Sequence, residues 1–176
     1  MKLFAAILFI SFAVLSIRSC LSESSYFEVA KSRSAKYNPP RKDYAIVIDY
    51  TKNILAKRLY VIDMKTGETV MSSRVSHAYN SGKLYATCFS NTGGTNMSSR
   101  GNFITLGTRM GRFGYSMQVK GLDSGVNSNA TSRAIIFHSD TKMRTIWSHG
   151  CFATDEETNS SLIDLTKGGC LVCVIG

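Results

Sequence analysis

Trp147-Ser148-His149-Gly150-Cys151-Phe152 is the stretch around which the chain is organised. It places a thiol one glycine away from an imidazole. A second imidazole, His138, closes the run Arg133-Ala134-Ile135-Ile136-Phe137 just upstream. A thiol attacks as its thiolate, and a nearby imidazole or a nest of backbone N–H groups favours that form. One cysteine with two histidines within about a dozen positions is a candidate for nucleophilic catalysis.

Outward from this stretch, the sequence predicts a mainly β domain. Arg133 to His138 is a short buried strand by its apolar run. After the cysteine, Thr154-Asp155-Glu156-Glu157 predicts a capping box, with Thr154 as N-cap and Glu157 at the third helical position. Leu162, Ile163, Leu165 and Thr166 give that helix a modest apolar face, and Lys167-Gly168 stops it. Cys170 to Ile175 reads as a last strand. Upstream, Tyr44 to Asp49 has the β-branched content of a strand. Lys57 to Met64 and Glu68 to Val75 flank Lys65-Thr66-Gly67, which has the glycine of a short hairpin loop. Ser76 to Arg100 is rich in Ser, Asn and Gly and predicts a long loop, of the kind that is often functional. Gly101 to Gly107 and Tyr115 to Val119 predict strands joined by Thr108 to Gly114, and Ser124 to Ser132 a polar loop. The domain expected from this runs over 44–176, with one helix after the nucleophile.

The chain has 176 residues and a formal charge of +9, which bounds it to one domain. Leu3 to Ile17 is almost wholly apolar, follows a basic start and is too short to span a bilayer comfortably. Residues 1–22 therefore read as a secretory signal peptide, and the expected location is outside the cytoplasm. Cleavage near Ser19 to Ser22 is the ordinary reading. Lipidation and membrane attachment through Cys20 is the alternative, which Arg18 fits badly. Residues 23–43, polar and carrying Pro39-Pro40, read as a linker or N-terminal extension. Without Lys2 and Arg18 the balance is still about +7. For an exported protein this favours an anionic envelope polymer or membrane surface as partner. Nucleic acid is not expected, since the basic residues are scattered and no recognition motif appears.

Five cysteines are too few for a disulfide scaffold. Cys170-Leu171-Val172-Cys173 has redox-motif spacing but lies in a strand, so both read as core thiols. His138, His149 and Cys151 could ligate zinc by type, yet no fourth ligand or recurring spacing is evident. No metal or cofactor is expected.

These phrases taken in order resemble the murein L,D-transpeptidase catalytic domain, the YkuD-like family. The resemblance rests on Leu59-Tyr60-Val61-Ile62-Asp63 before a Lys-Thr-Gly turn and on Val75-Ser76-His77-Ala78-Tyr79-Asn80-Ser81-Gly82. It continues through Phe89-Ser90-Asn91-Thr92, Ser98-Ser99-Arg100-Gly101-Asn102-Phe103 and Gly114-Tyr115-Ser116-Met117. Gly121-Leu122 with Asn129-Ala130, the His138 strand and Ser148-His149-Gly150-Cys151 complete it. The resemblance covers roughly Tyr44 to Ile175 and implies a β-sandwich or barrel-like fold acting on peptidoglycan stem peptides. It implies that Cys151 forms a thioester on the third residue of a donor tetrapeptide and expels D-alanine. The acyl group then passes to a diamino-acid amine or to water. His138 would be the base, Ser139 would fix its imidazole, and His149-Gly150 would lie beside the oxyanion. A carboxypeptidase, a cross-link hydrolase or a non-catalytic envelope-binding domain on the same fold are the alternatives.

From the residues themselves, Tyr115, Arg133 and Ser148 are candidates for substrate contact, with structural roles favoured for Tyr115 and Arg133. His77, in the long loop, is read as structural. The chain departs from many relatives in Ser139-Asp140 after the histidine, in Phe152-Ala153-Thr154 after the cysteine, and in Ala78. It also has a short connection from His138 to Ser148. If the assignment is to fail, that connection is where His138 would fall out of reach of the sulfur.

Overall fold

A computed structural model describes residues 25–140 and 147–176. The expected signal segment and Cys20 lie outside the described residues. Ten strands and two helices carry the fold. Residues 25–37 form α1. The strands are β1 (Tyr44–Asp49), β2 (Leu59–Asp63), β3 (Thr69–Ser73), β4 (His77–Ala78), β5 (Gly101–Gly111), β6 (Gly114–Gly121), β7 (Ile136–Ser139), β8 (Trp147–Ser148), β9 (Phe152–Thr154) and β10 (Leu171–Ile175). Helix α2 (Glu156–Thr166) lies between β9 and β10. Eight strands make one sheet in the order β3-β2-β1-β10-β5-β6-β7-β9, and β4 pairs with β8.

The sheet curls until its edges nearly meet. Ser76, just past β3, donates its N–H to Ala153 O at 2.9 Å, and its hydroxyl accepts from Ala153 N at 3.1 Å. The free edge of β9 is thereby paired, which removes the exposed ladder that an open edge would present. Both faces of the central strands are covered. Ile46, Ile48, Phe103, Met117, Phe137, Phe152, Val172 and Val174 fill the inside with Leu162 and Ile163 of α2. Ala45, Val47, Ile62, Leu171 and Cys173 face outward beneath Tyr26 and Ala30 of α1. A strand buried on both sides reads as a continuous apolar run, which is how β1 and β10 read in the sequence.

The expected mainly β architecture with a helix after the nucleophile is what the structure has. Three local expectations are corrected. Residues 23–43 are not simply a linker, because 25–37 are helical and packed. Tyr26, Ala30, Arg33 and Tyr37 fall on one helical stripe. Tyr26 stacks on Tyr60 at 4.5 Å and donates to Asp49 Oδ2 at 2.6 Å, while Tyr37 donates to Asp123. So few apolar residues hid this helix; polar anchors hold it. The second correction concerns the N-cap of α2, which is Asp155, one residue later than expected. Its carboxylate accepts from Thr158 N at 2.9 Å and from Thr158 Oγ1 at 2.7 Å, while Thr154 ends β9. Thirdly, β5 continues to Gly111, so the expected connection is an extended hairpin arm whose two-residue tip is Arg112-Phe113. That arm is exposed and lacks the alternation a strand reading needs.

Candidate active site

Parallel pairing of β7 with β9 sets His138 opposite Ala153 and Phe137 opposite Phe152. Phe137 and Phe152 stack inside the core at 4.8 Å. Alternation then turns His138 and Ala153 to the other face, and Cys151, two before Ala153, lies on that face too. Cys151 and His138 both line a cleft of about 750 Å³.

The turn before Cys151 is tightly built. Gly150 has φ +138°, and a Cβ there would lie 2.8 Å from Ile135 Cδ1, so glycine is the residue that fits. Ser148 Oγ accepts from Gly150 N at 3.1 Å and donates to Cys151 O at 2.7 Å. Ser76 Oγ donates to the same carbonyl at 3.3 Å. Two hydroxyls thus hold the backbone of Cys151. The thiol donates to Ala134 O at 3.6 Å, and the Ile136 N–H serves the sulfur. Ala134 has φ +53°, an uncommon conformation for a non-glycine residue. Burial pushes the Cys151 thiol above its ordinary value, against the Ile136 N–H and the charges of Arg133 and Arg109, which pull it down. The resting group is therefore a thiol near neutral pH, and attack needs a base.

His138 has the features of that base. Its Nδ1 lies 2.8 Å from Ser139 O. A carbonyl only accepts, so Nδ1 carries the proton and Nε2 keeps its lone pair. Among the described residues no group bonds Nε2. Burial pulls His138 below the ordinary imidazole range, outweighing the Ser139 carbonyl and Asp140, which raise it. Phe113, at the tip of the β5–β6 hairpin, stacks on the ring at 4.5 Å and 27°. The Arg112 guanidinium lies over the Phe113 ring, 4.8 Å from its centroid. The sulfur's hydrogen bond runs to Ala134 O and not to His138, yet both groups border one cleft on one face. Hydrogen bonds of this kind are often loose until substrate is bound.

The remaining site residues fall into three places. His149 is exposed at the cleft rim, and Ser139 and Ser148 line the wall. Tyr115 also lines the cleft, and its hydroxyl donates to Asp164 Oδ1 at 2.9 Å and accepts from Lys167 Nζ at 3.2 Å. Arg133 does not line the cleft. Its guanidinium donates to Ser90 O and Ser99 Oγ, each at 2.5 Å, and to Met97 O at 2.6 Å. It props the long loop behind Gly150 and is not placed to contact substrate. Sequence reasoning missed Phe113, Arg112 and Asn159. The two glycines bracketing Arg112-Phe113 were the available signal for the first pair. Asn159 on α2 is 1% exposed and borders the cleft. Its Nδ2 donates to Tyr115 O at 2.7 Å, and its Oδ1 has no hydrogen-bond partner among the described residues. An orphaned buried acceptor costs about 1–3 kcal/mol. Among the described residues no three His, Cys, Asp or Glu side chains gather as a metal site.

Comparison with known proteins names the class that this fold and site define. A family model of the L,D-transpeptidase catalytic domain, of the YkuD type, matches residues 19–174. The chain belongs to that family. No curated protein matches it. Among solved structures it is similar to the Ldtfm–avibactam carbamoyl enzyme, at 14% identity and a TM-score of 0.51, covering 77% of this chain and 50% of that one. Bd1075 of Bdellovibrio bacteriovorus is similar at 12% identity and a TM-score of 0.51, covering 76% of this chain and 48% of the other. The L,D-transpeptidase from Mycobacterium smegmatis matches at 15% identity and a TM-score of 0.48, covering 76% and 59%. This chain thus spans about half to three-fifths of the length of those proteins.

Proposed function

We propose that the protein is an exported cysteine L,D-transpeptidase acting on peptidoglycan stem peptides, with Cys151 as nucleophile and His138 as its base. The observation that carries this reading is a single cleft bordered by both the Cys151 thiol and the His138 imidazole, whose Nδ1 is tied to Ser139 O. In the first half-reaction the sulfur attacks the carbonyl of the donor's third residue while His138 Nε2 takes the thiol proton. Collapse breaks the peptide bond, and the imidazolium gives that proton to the departing D-alanine amine. A positioned base of this kind contributes typically 10²–10⁴-fold. Gly150 N–H is held by Ser148 Oγ, so in this turn the His149 and Cys151 N–H groups are the ones that would stabilise a developing oxyanion. In the second half-reaction an acceptor amine, or water, attacks the thioester. The apolar start at residues 3–17 and the basic balance support export to an anionic envelope.

The test is incubation of disaccharide-tetrapeptide with the wild type and with Cys151→Ala. Release of D-alanine and formation of cross-linked dimer are expected from the wild type alone. Either product persisting in Cys151→Ala would sink the cysteine mechanism.

A further inference from the structure

Exposed apolar side chains gather at one rim of the cleft. Tyr79 is 65% exposed, and its ring meets Trp147 edge to face with 5.7 Å between centroids. Both residues line the cleft. Trp147 Nε1 donates to Lys83 O at 3.0 Å, which satisfies the one polar group of the indole and fixes its ring. Leu84 and Tyr85 follow Lys83 and are exposed. Leu84 O accepts from Ile54 N at 2.8 Å, which brings the exposed Leu55 alongside. Leu55, Leu84 and Tyr85 do not line the cleft. The result is an apolar shelf that begins at the cleft and leads away from it.

The shelf is tied to the segment that carries Cys151. Parallel pairing of β4 with β8 sets His77 opposite Trp147 and Ala78 opposite Ser148. Trp147 stands four positions before Cys151, so its backbone lies within about 14 Å of that residue. In the proposed reaction the carbonyl of the donor's third residue meets the sulfur. Three residues and a short link separate that carbonyl from the sugar, again about 10–14 Å when extended. The sugar end of a bound stem therefore comes to rest at a rim of the cleft. At the hairpin rim, Phe113 is already stacked on His138 and covered by Arg112. At the α2 rim the lining residues are Glu156, Asn159 and Ser160, all polar. Among the described aromatic residues that line the cleft, Tyr79 is the most exposed. Charge points the same way. Between Glu68 and Asp123 the chain has no acidic residue and six basic ones, so the part that supplies Tyr79 to Tyr85 attracts the carboxylates of neighbouring stems on the same polymer.

We infer that the shelf built on Tyr79 and Trp147 is a docking surface for the glycan strand that carries the donor stem. This deepens the function proposed above and rests on it for the placement of the stem. A pyranose ring presents C–H groups on one face, over an area close to that of an aromatic ring. The negative face of the aromatic ring attracts those C–H groups, while the sugar hydroxyls stay in water. The surface is set before the sugar arrives, because Lys83 O holds the indole and Ile54 N holds the loop at Leu84. Little freedom is lost on binding, which favours affinity. With the strand seated here, the chain recognises a stem as part of a polymer and not as a free peptide.

Trp147 is the one tryptophan of the chain, so its emission reports on the shelf directly. The full chain carrying Cys151→Ala, which cannot turn over, is titrated with glycan chains stripped of their stems. A saturable shift of the emission to shorter wavelength is expected as the sugar displaces water from the indole. Tyr79→Ala in that background should weaken the apparent Kd by roughly 3- to 10-fold, the worth of one ring contact. Tyr79→Phe keeps the ring and should bind as before. Tyr85→Ser, beyond the cleft, should weaken binding by a smaller factor. In the otherwise wild-type chain, Tyr79→Ala should raise KM more for disaccharide-tetrapeptide than for free tetrapeptide. No shift with glycan chains overturns the shelf. So does an unaltered Kd in folded Tyr79→Ala, or an equal rise of KM for both substrates. A shift with phosphatidylglycerol vesicles and none with glycan would make the surface a membrane contact and overturns the proposal too. Should Tyr79→Ala lose its melting transition, Tyr85→Ser decides, and an unaltered Kd there overturns the shelf. The two readings fail separately. Glycan binding without D-alanine release by the wild type sinks the enzymatic reading and supports the shelf, whereas D-alanine release without glycan binding sinks the shelf alone.

Discussion

His77 and His138 are the two buried imidazoles of the described residues, and each bonds a backbone carbonyl at 2.8 Å. They differ at the second nitrogen. At His77, Arg58 Nη2 lies 3.1 Å from Nδ1. A guanidinium only donates, so Nδ1 accepts and Nε2–H donates to Gly82 O. Both nitrogens are occupied, and the ring is closed in among Tyr50, Arg58 and the loop that follows. At His138, among the described residues, only Nδ1 is bonded, and the ring borders the cleft under Phe113. Burial lowers both groups below the ordinary imidazole range. On the reading proposed above, what separates a prop from a base is a second ring nitrogen that no described residue bonds, not the residue type or its depth.

That contrast is open to attack from several sides. Replacing His138 with Ala should lower kcat/KM for D-alanine release by about 10²–10⁴-fold and leave the melting transition in place. A large loss of stability instead would make His138 a second His77. His77→Leu should do the reverse. It leaves Arg58 and the Gly82 carbonyl without a partner, at about 1–3 kcal/mol for each buried group. Denaturant unfolding should show that loss, with the rate per folded molecule unchanged.

The pH dependence follows from the same pair. Each imidazole has a folded pKa below its unfolded value. The stability tied to its neutral form is complete above about pH 6.5 and is lost as pH falls through the folded value. The acid limb of kcat/KM should therefore lie below pH 6.5, where His138 protonates. Phe113→Ala uncovers the ring and should move that limb upward, with a smaller drop in the plateau, whereas Phe113→Tyr should keep it in place. A limb that does not move in Phe113→Ala would mean that the stack has no part in holding the imidazole neutral. The smallest expected effect is away from both histidines. Asp155→Ala removes the α2 cap and should cost about 1 kcal/mol, with the acid limb unmoved.

The legible parts of this molecule were those written in local pattern. β1 and β10 are continuous apolar runs because both their faces are buried. Ser148-His149-Gly150-Cys151 is readable because a strained glycine and a hydroxyl must stand where they do. The illegible parts depend on groups far apart in the chain. Helix α1 carries few apolar residues and is held by Asp49 and Asp123, which no local reading connects to Tyr26 and Tyr37. Arg133 was readable as a cation near the nucleophile, but its three acceptors come from 90–99, so its role as a prop was not. Phe113 sits on an exposed arm with no alternation, and its meeting with His138 depends on the pairing of β6 with β7, which sets Ser116 opposite His138. The one-residue shift of the α2 cap has a simpler origin. Thr154 and Asp155 are both good caps, and pairing with β7 claims Thr154 for the strand.

Strand β10 has a consequence for the order in which the protein can be assembled. It pairs in parallel with β1 and antiparallel with β5, so it is the seam of the large sheet. Without it, β3-β2-β1 and β5-β6-β7-β9 share no strand pairing and meet at their outer edges through Ser76 and Ala153. β10 is also the last of the ten strands to emerge during synthesis. The segments bearing Cys151 and His138 are made earlier, but they join a closed sheet only when this seam is sewn. Long-range pairing of that kind folds slowly, which keeps a nascent chain open and its nucleophile unassembled until late.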